Sequence, residues 1–126
     1  KVIDQGDDYS YKEHARNVVS KLKSSFIKRS SQVKSIRKVI DESPYPVVVL
    51  GDFNDTPQSY AYQKLRGNLK DAFIEKGAGI GSTFTKPFGL LRIDYILHSS
   101  KLKCTSFKTN SSIPSDHKLL ETTFVF

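Results

Sequence analysis

The sequence contains no methionine, no tryptophan and a single cysteine among its 126 residues. Having only one cysteine, Cys104, excludes an internal disulfide and a cysteine-rich metal site, and it leaves the cellular compartment open. No apolar run approaches the roughly 20 residues that a membrane-spanning helix needs. Since a chain without methionine lacks an initiator residue, we expect further residues to precede Lys1. A hydrophobic content of 37% and a mean hydropathy of -0.41 are typical of a globular chain.

Acidic residues are scarce in one segment, residues 12–38, which holds nine basic side chains and a single acid, Glu13. The chain's net charge of +7 belongs to this segment, because acids slightly outnumber basic residues elsewhere. Two interpretations are open: the charges solvate a helix face, or they bind a polyanion such as nucleic acid. The basic residues are Lys12, Arg16, Lys21, Lys23, Lys28, Arg29, Lys34, Arg37 and Lys38.

Helical periodicity extends through the basic segment and predicts one long helix or two abutting helices over about 11–42. We expect the apolar stripe of this segment to pack on a sheet, and Pro44 and Pro46 to end the helical run. The stripe consists of Leu22, Phe26, Val33, Ile36 and Ile40.

Unbroken β-branched and aliphatic residues at 47–50 predict a strand buried on both faces in the middle of a sheet. A capping residue and Pro57 follow, so we expect a helix from there to about Arg66, ended by Gly67. Residues 69–74 are compatible with strand or helix. The glycines at 77, 79 and 81 indicate a flexible loop rather than a phosphate cradle. Strands are predicted at 93–97 and from about 120 to the end, the latter after a loop near 109–115.

Polar side chains at the end of the first predicted strand are candidates for chemistry. Two residues apart on extended backbone, Asp52 and Asn54 would share one side and could act on one ligand. Asp52 could orient or deprotonate a water, while Asn54 could donate to a phosphate oxygen or complete a metal shell. The alternative is a turn motif without chemistry, because glycine, aspartate and asparagine all favour turns.

Asp94 stands inside an otherwise hydrophobic strand, where a carboxylate needs a hydrogen-bond donor or an opposite charge. His117 could supply one through a ring nitrogen, and Asp94 would then fix the tautomer of the imidazole and raise its proton affinity. The alternatives are a strand-edge aspartate that bonds backbone and, for Asp116, a loop-end cap instead of a metal ligand. A serine hydrolase using Ser115 or another serine with His117 and Asp94 is a rival, although no G-x-S-x-G motif is present.

Three ordered motifs resemble those of the endonuclease/exonuclease/phosphatase superfamily, which includes DNase I-like nucleases, abasic-site endonucleases, deadenylases, sphingomyelinases and inositol-polyphosphate phosphatases. The motifs are VLGDFN at 49–54, RIDYIL at 92–97 and SDH at 115–117. The resemblance implies an α/β (α+β) fold, a four-layer α-β-β-α sandwich with mixed, mostly antiparallel sheets and flanking helices. Residues 1–126 would form the carboxyl-terminal half of that single domain.

The resemblance also implies hydrolysis of a phosphodiester or phosphomonoester by a water nucleophile with Mg²⁺ or Mn²⁺. Asp52 would position the water and help to bind the metal, and Asn54 would bind the scissile phosphate. Asp94 would orient His117, which would bind the phosphate and stabilise the developing charge or handle a proton. Asp116 would contribute to the metal site. The partner would be a phosphate-ester substrate, nucleic acid among the candidates.

The sequence departs from the family pattern in lacking a metal-binding glutamate. Family members place a metal-binding glutamate on a strand upstream of the region where this chain begins, and no counterpart stands in residues 1–126. We therefore expect the main glutamate ligand to lie upstream and the exposed surface of the half-domain to favour self-association. Alternatively, the chain is a catalytically incomplete fragment or a polyanion-binding module. Tyr95 after Asp94 disfavours inositol-polyphosphate phosphatases, and the absence of tryptophan disfavours abasic-site endonucleases.

Overall fold

The computed structural model describes residues 5–126, with side chains from residue 11 onward, and these residues form three helices and five strands. The chain divides into two compact units, Lys1–Gln32 and Val33–Phe126. No helix in the described part of the chain combines the length and the apolar character needed to cross a bilayer. The elements are α1 (Gln5–Glu42), β1 (Val48–Asp52), α2 (Tyr60–Arg66), β2 (Lys70–Asp71), α3 (Ala72–Lys76), β3 (Asp94–His98), β4 (Lys103–Asn110) and β5 (Leu119–Val125).

The predicted amino-terminal helix is confirmed as one continuous helix, α1, which ends just before Pro44. The prediction that its whole apolar stripe packs on a sheet is wrong. Val33 and Ile40 are buried, but Ile36 is 44% exposed because it lies about 60° around the helix from Val33. Leu22 and Phe26, in the first unit, are also exposed.

The first sheet has the order β1-β3-β2, and both pairs of neighbouring strands are antiparallel. Tyr95 and Leu97 of β3 are buried on the face that packs against the end of α1 and against α2. Alternation sends Ile96 to the opposite face, where it contacts the second sheet. Because both of its faces are covered, β3 is hydrophobic at consecutive positions.

The second sheet is the antiparallel hairpin of β4 and β5, and the sequence pattern does not predict β4. A bulge between Cys104 and Ser106 breaks the period of two, so Cys104 and Phe107 both reach the core although they are three residues apart. No alternating pattern was therefore visible. The predicted terminal strand is confirmed as β5, while the predicted loop at 109–115 begins two residues later.

The prediction that β1 is buried on both faces in mid-sheet is wrong. β1 is an edge strand of the described sheet, and Leu50 is 69% exposed. Val49 packs against the helical core, whereas Val48 and Leu50 point to the opposite face of the sheet. The β4–β5 hairpin covers this face at β3 but does not cover it at β1. Self-association through this surface stays a prediction.

The remaining segments mostly follow the predicted pattern. α2 begins later than expected, because the side chain of Ser59 rather than that of Asp55 or Thr56 caps it, and it ends at Gly67 as predicted. Residues 69–74, compatible with strand or helix, contain β2 followed by the start of α3. The glycine-rich stretch at 77–81 lies in a loop after α3. The mixture of helices and antiparallel sheets confirms the predicted α+β class.

Candidate active site

The carboxyl end of β1 presents Asp52 through an unusual local backbone. Gly51 has φ of +153°, which side-chain-bearing residues rarely adopt, and Asn54 has φ of +53°, which asparagine tolerates. Oδ1 of Asp52 accepts a hydrogen bond of 2.7 Å from the backbone N–H of Asn54. The segment is therefore a turn, and the prediction that Asp52 and Asn54 share one side of extended backbone is wrong.

Strand pairing brings Asp94 next to Asp52. The two residues are directly opposite in the antiparallel register of β1 and β3, so the last residue of one strand faces the first residue of the other. A backbone hydrogen bond of 2.8 Å from Phe53 N–H to the Ile93 carbonyl extends this pairing. The Asp94 side chain is 16% exposed, compared with 35% for Asp52.

His117 completes the group from the segment that leads into β5. Its Nδ1 lies 3.0 Å and 3.2 Å from the two carboxylate oxygens of Asp94, and its Nε2 lies 3.9 Å from Oδ2 of Asp52. Because a carboxylate accepts hydrogen bonds, Nδ1 carries the proton and Nε2 is left to face Asp52. This is the Asp94–His117 contact that the sequence predicts.

The electrostatics of the site favour the protonated imidazole. The hydrogen bond to Asp94 raises the pKa of His117 above its usual value, although burial acts in the opposite direction. The negative charges of Asp94, Asp52 and Asp116 act in the same direction. His117 is thus poised to hold a proton or a positive charge beside two carboxylates.

Asp52, Asp94 and His117 each offer a ligand atom within 4.8 Å of the other two, an arrangement that could hold a metal ion. Asp116 is not part of this group. Its backbone carbonyl accepts hydrogen bonds from the N–H and the hydroxyl of Thr85, at 2.8 Å and 3.0 Å. Asn54 is exposed and also stands outside the group. The roles predicted for Asp116 and Asn54 stay predictions.

The carboxylates border a cleft of about 180 Å³ between the two sheets. β1 contributes residues 50–52, β3 contributes 94–96, and the segment that enters β5 contributes 118–120. Lys118 belongs to this lining, and its Nζ lies 3.5 Å from the Ser82 hydroxyl.

A buried polar network that no sequence motif predicts supports the start of β3. Arg92 Nη1 donates to Asp71 Oδ2 at 2.6 Å, and the Tyr62 hydroxyl donates to the same oxygen at 2.7 Å. The guanidinium also lies 4.9 Å from the centre of the Tyr95 ring. Burial raises the pKa of Tyr62, and the adjacent Asp71 carboxylate raises it further. Arg92 is two residues from Asp94, so the network holds the segment that enters β3.

Ser115, one candidate nucleophile of the rival hydrolase hypothesis, has a local role. Its Oγ accepts a hydrogen bond of 3.1 Å from the backbone N–H of His117. A serine nucleophile would instead donate its hydroxyl proton to the imidazole ring. The observed contact is that of a turn.

The model of the endonuclease/exonuclease/phosphatase family matches residues 27–117, which include all three motifs. The chain belongs to this family. The same fold occurs in a mannosyl-6-phosphatase of Bacteroides thetaiotaomicron, which is 21% identical with a TM-score of 0.58. It also occurs in a second endonuclease/exonuclease/phosphatase family protein of that organism, which is 18% identical with a TM-score of 0.54.

The two alignments cover 78% and 75% of this chain but only 44% and 41% of the neighbouring chains. The chain thus spans less than half the length of the solved structures that it resembles. No match was found among curated proteins. Family membership supports a phosphoesterase fold, and enzymes of the family generally use divalent metals.

Proposed function

We propose that this domain hydrolyses a phosphate ester with a water nucleophile and a divalent cation. The observation that supports the proposal best is the meeting of Asp52, Asp94 and His117 within 4.8 Å, although they come from three motifs far apart in the sequence. Two carboxylates that line a cleft, with an imidazole in contact with one of them, are suited to phosphoryl chemistry, in which positioning and electrostatic stabilisation supply most of the rate.

The proposed roles follow from the contacts. Asp94 holds the Nδ1 proton of His117, so the imidazole presents Nε2 towards Asp52. His117, whose protonated form is favoured, would stabilise charge that develops on a phosphoryl oxygen or deliver a proton. Asp52, the most exposed of the three, would orient the attacking water, and Asn54 at the adjacent turn would bind the phosphate.

The donor set fits a magnesium or manganese ion. Mg²⁺ commonly uses one or two protein carboxylates and completes its shell with waters and substrate phosphate oxygens. Asp52 would be the main ligand in this chain, since Asp94 is engaged with His117. Asp116, outside the described group, is retained as a ligand candidate. When bound, the ion would polarise the phosphoryl group and lower the pKa of a coordinated water. A further glutamate ligand upstream of Lys1 stays part of the proposal.

Both phosphomonoesters and phosphodiesters are candidate substrates. The similar structure from B. thetaiotaomicron is a mannosyl-6-phosphatase, which favours testing sugar phosphates beside nucleic acids. Turnover should be measured with a sugar 6-phosphate, an aryl phosphodiester and single-stranded DNA, each with Mg²⁺, Mn²⁺ or EDTA. We expect EDTA to abolish hydrolysis and serine-directed reagents to leave it unchanged. The reverse result would support the serine hydrolase.

Two variants test the assignment of the site. Asp52→Ala and His117→Ala should each lower kcat by about 10²–10⁴-fold, the usual contribution of acid–base catalysis or of one transition-state donor. His14→Ala in α1 and Glu121→Ala on β5 are matched controls at exposed positions. Near-normal rates in both site variants would refute the assignment.

The upstream glutamate requires a separate comparison. A version of the protein extended before Lys1 should turn over substrate faster than residues 1–126, because it would supply the missing ligand. Equal rates for the two versions would contradict that part of the proposal and leave the roles of Asp52 and His117 unaffected.

A second candidate function, polyanion binding, rests on the exposure of the basic residues between positions 11 and 29 of α1. Every described side chain from 11 to 29 is exposed, and six of them are basic. Binding of single-stranded DNA through these residues should weaken steeply as salt rises. It should survive Asp52→Ala, which separates it from binding at the catalytic cleft.

A further inference from the structure

We propose that Thr83 and Phe84, in the loop between α3 and β3, are positioning residues for the Asp94–His117 pair. Neither residue stands in the three motifs. The kinetic consequence of the proposal rests on the proposed phosphoesterase function, whereas its structural consequence does not.

Thr83 fixes the backbone from which Asp94 projects. Its side chain is almost fully buried, and Oγ1 accepts hydrogen bonds from the backbone N–H groups of Ile93 at 3.0 Å and Asp94 at 3.1 Å. Its own backbone N–H donates to the Leu91 carbonyl at 2.9 Å. One buried hydroxyl thus satisfies two consecutive amides at the start of β3, so the Asp94 backbone cannot shift without losing hydrogen bonds.

The same segment fixes the backbone around His117. The Thr83 carbonyl accepts a hydrogen bond of 2.7 Å from Lys118 N–H, and the Thr85 N–H and hydroxyl both donate to the Asp116 carbonyl. An isolated antiparallel bridge pairs Phe84 with His117. Residues 83–85 therefore run antiparallel to 116–118, with the catalytic histidine in the middle of the pairing.

Phe84 adds a direct contact to the imidazole. The two ring centres are 4.9 Å apart with an angle of 53° between the ring planes. A histidine held only through Nδ1 could still swing about its side-chain bonds, and the phenyl ring restricts that movement on one side. Thr83 thus orients the carboxylate and Phe84 the imidazole, as groups behind metal-bound or catalytic histidines commonly do.

The test uses the full chain labelled with ¹⁵N-histidine, at a pH above the titration range of the imidazole. Under these conditions the NMR shifts of the two ring nitrogens of His117 report which nitrogen carries the proton. Wild type and Thr83→Ser, which keeps the hydroxyl, should show the proton on Nδ1. Thr83→Val keeps the shape but removes the acceptor, so His117 should shift towards the Nε2-protonated form. Thr109→Val, at an exposed threonine of β4, is the matched control.

In the turnover assay, Thr83→Val should lower kcat about 10–100-fold, as is usual when a group that orients a catalytic ligand is removed. KM should stay within about twofold, because Thr83 does not line the cleft. Thr83→Ser should restore most of the rate. A Thr83→Val protein with the wild-type tautomer and wild-type kcat would overturn the proposal for Thr83.

Phe84→Leu keeps the test decisive if Thr83→Val does not fold. It removes the aromatic contact while keeping an apolar side chain, and Phe88→Leu, at a residue that is 90% exposed in the same loop, is its control. We expect Phe84→Leu to change the His117 nitrogen shifts and lower kcat, and we expect Phe88→Leu to change neither. Unchanged shifts and kcat would refute the positioning role. If the shifts change while no form of the protein hydrolyses any substrate, the proposed function fails and the positioning role stands.

Discussion

Removing the carboxylate of Asp71 should destabilise the fold more than the loss of an exposed ion pair would. Asp71 is fully buried, and it accepts hydrogen bonds from Arg92, whose side chain is 10% exposed, and from Tyr62. Its other oxygen caps α3 by accepting from Phe73 N–H at 3.0 Å. Asp71→Ala would leave a buried guanidinium and a buried hydroxyl without this partner.

The magnitude follows from these contacts. Breaking a buried ion pair by removing one partner costs about 3–5 kcal/mol, and losing a helix cap costs about 1 kcal/mol more. We therefore expect Asp71→Ala to lower the free energy of unfolding by roughly 4–6 kcal/mol. Asp71→Asn should cost less, because its amide oxygen can still cap α3. Tyr62→Phe removes a single hydrogen bond to a charged group and should cost about 1.5–3 kcal/mol.

Urea unfolding followed by circular dichroism measures these differences, with Asp41→Ala as the matched control. Asp41 is 56% exposed and forms an ion pair with Arg37 one helical turn away, so its loss should have little effect on the free energy of unfolding. If Asp71→Ala were as stable as Asp41→Ala, the view that the Arg92 network anchors the start of β3 would be refuted. The double replacement Asp71→Leu/Arg92→Met should recover much of the loss, since it leaves no buried charge.

Asp94→Asn should lower the pKa of His117 towards its ordinary value, as measured by NMR titration without metal; an unchanged pKa would contradict the hydrogen bond. Because the pKa of His117 is raised in the folded chain, the Asp94–His117 pair stabilises the fold at low pH. This stabilisation is lost as pH rises through the folded pKa of His117. Asp94→Asn should therefore flatten the dependence of the free energy of unfolding on pH. Leu97→Ala, at a fully buried core position, should lower the free energy of unfolding by about 2–5 kcal/mol, whereas Leu50→Ala on the exposed face of β1 should stay within about 0.5 kcal/mol. Equal costs at the two positions would show that the exposed face of β1 is covered in solution.

The sequence predicted those helices and strands whose local residue pattern matches their place in the tertiary structure. The continuous helix and the terminal strand have hydrophobic periodicity, and the strand that carries Asp94 is a short apolar run. The Asp94–His117 contact was predictable because a carboxylate in a hydrophobic strand requires a donor. Family membership was predictable from three short motifs in the right order.

The failed predictions concern edges and irregularities. Residues 47–50 are apolar at every position, but apolar composition does not show which strand occupies the centre of a sheet, and β3 occupies it instead. β4 escaped prediction because its bulge breaks the alternation. The turn at Asn54 depends on a positive φ and on the Asp52 side chain, which override the extended geometry that spacing alone predicts.

By itself, the sequence determined the family of this chain and the candidate residues of its site: two aspartates and a histidine in three family motifs. The tertiary structure alone decided how these groups are held. Thr83, Phe84, Asp71 and Arg92 act through contacts between residues distant in the chain, and neither spacing nor composition encodes such contacts. Register, which places Asp52 opposite Asp94, is likewise a property of paired strands and not of either strand alone.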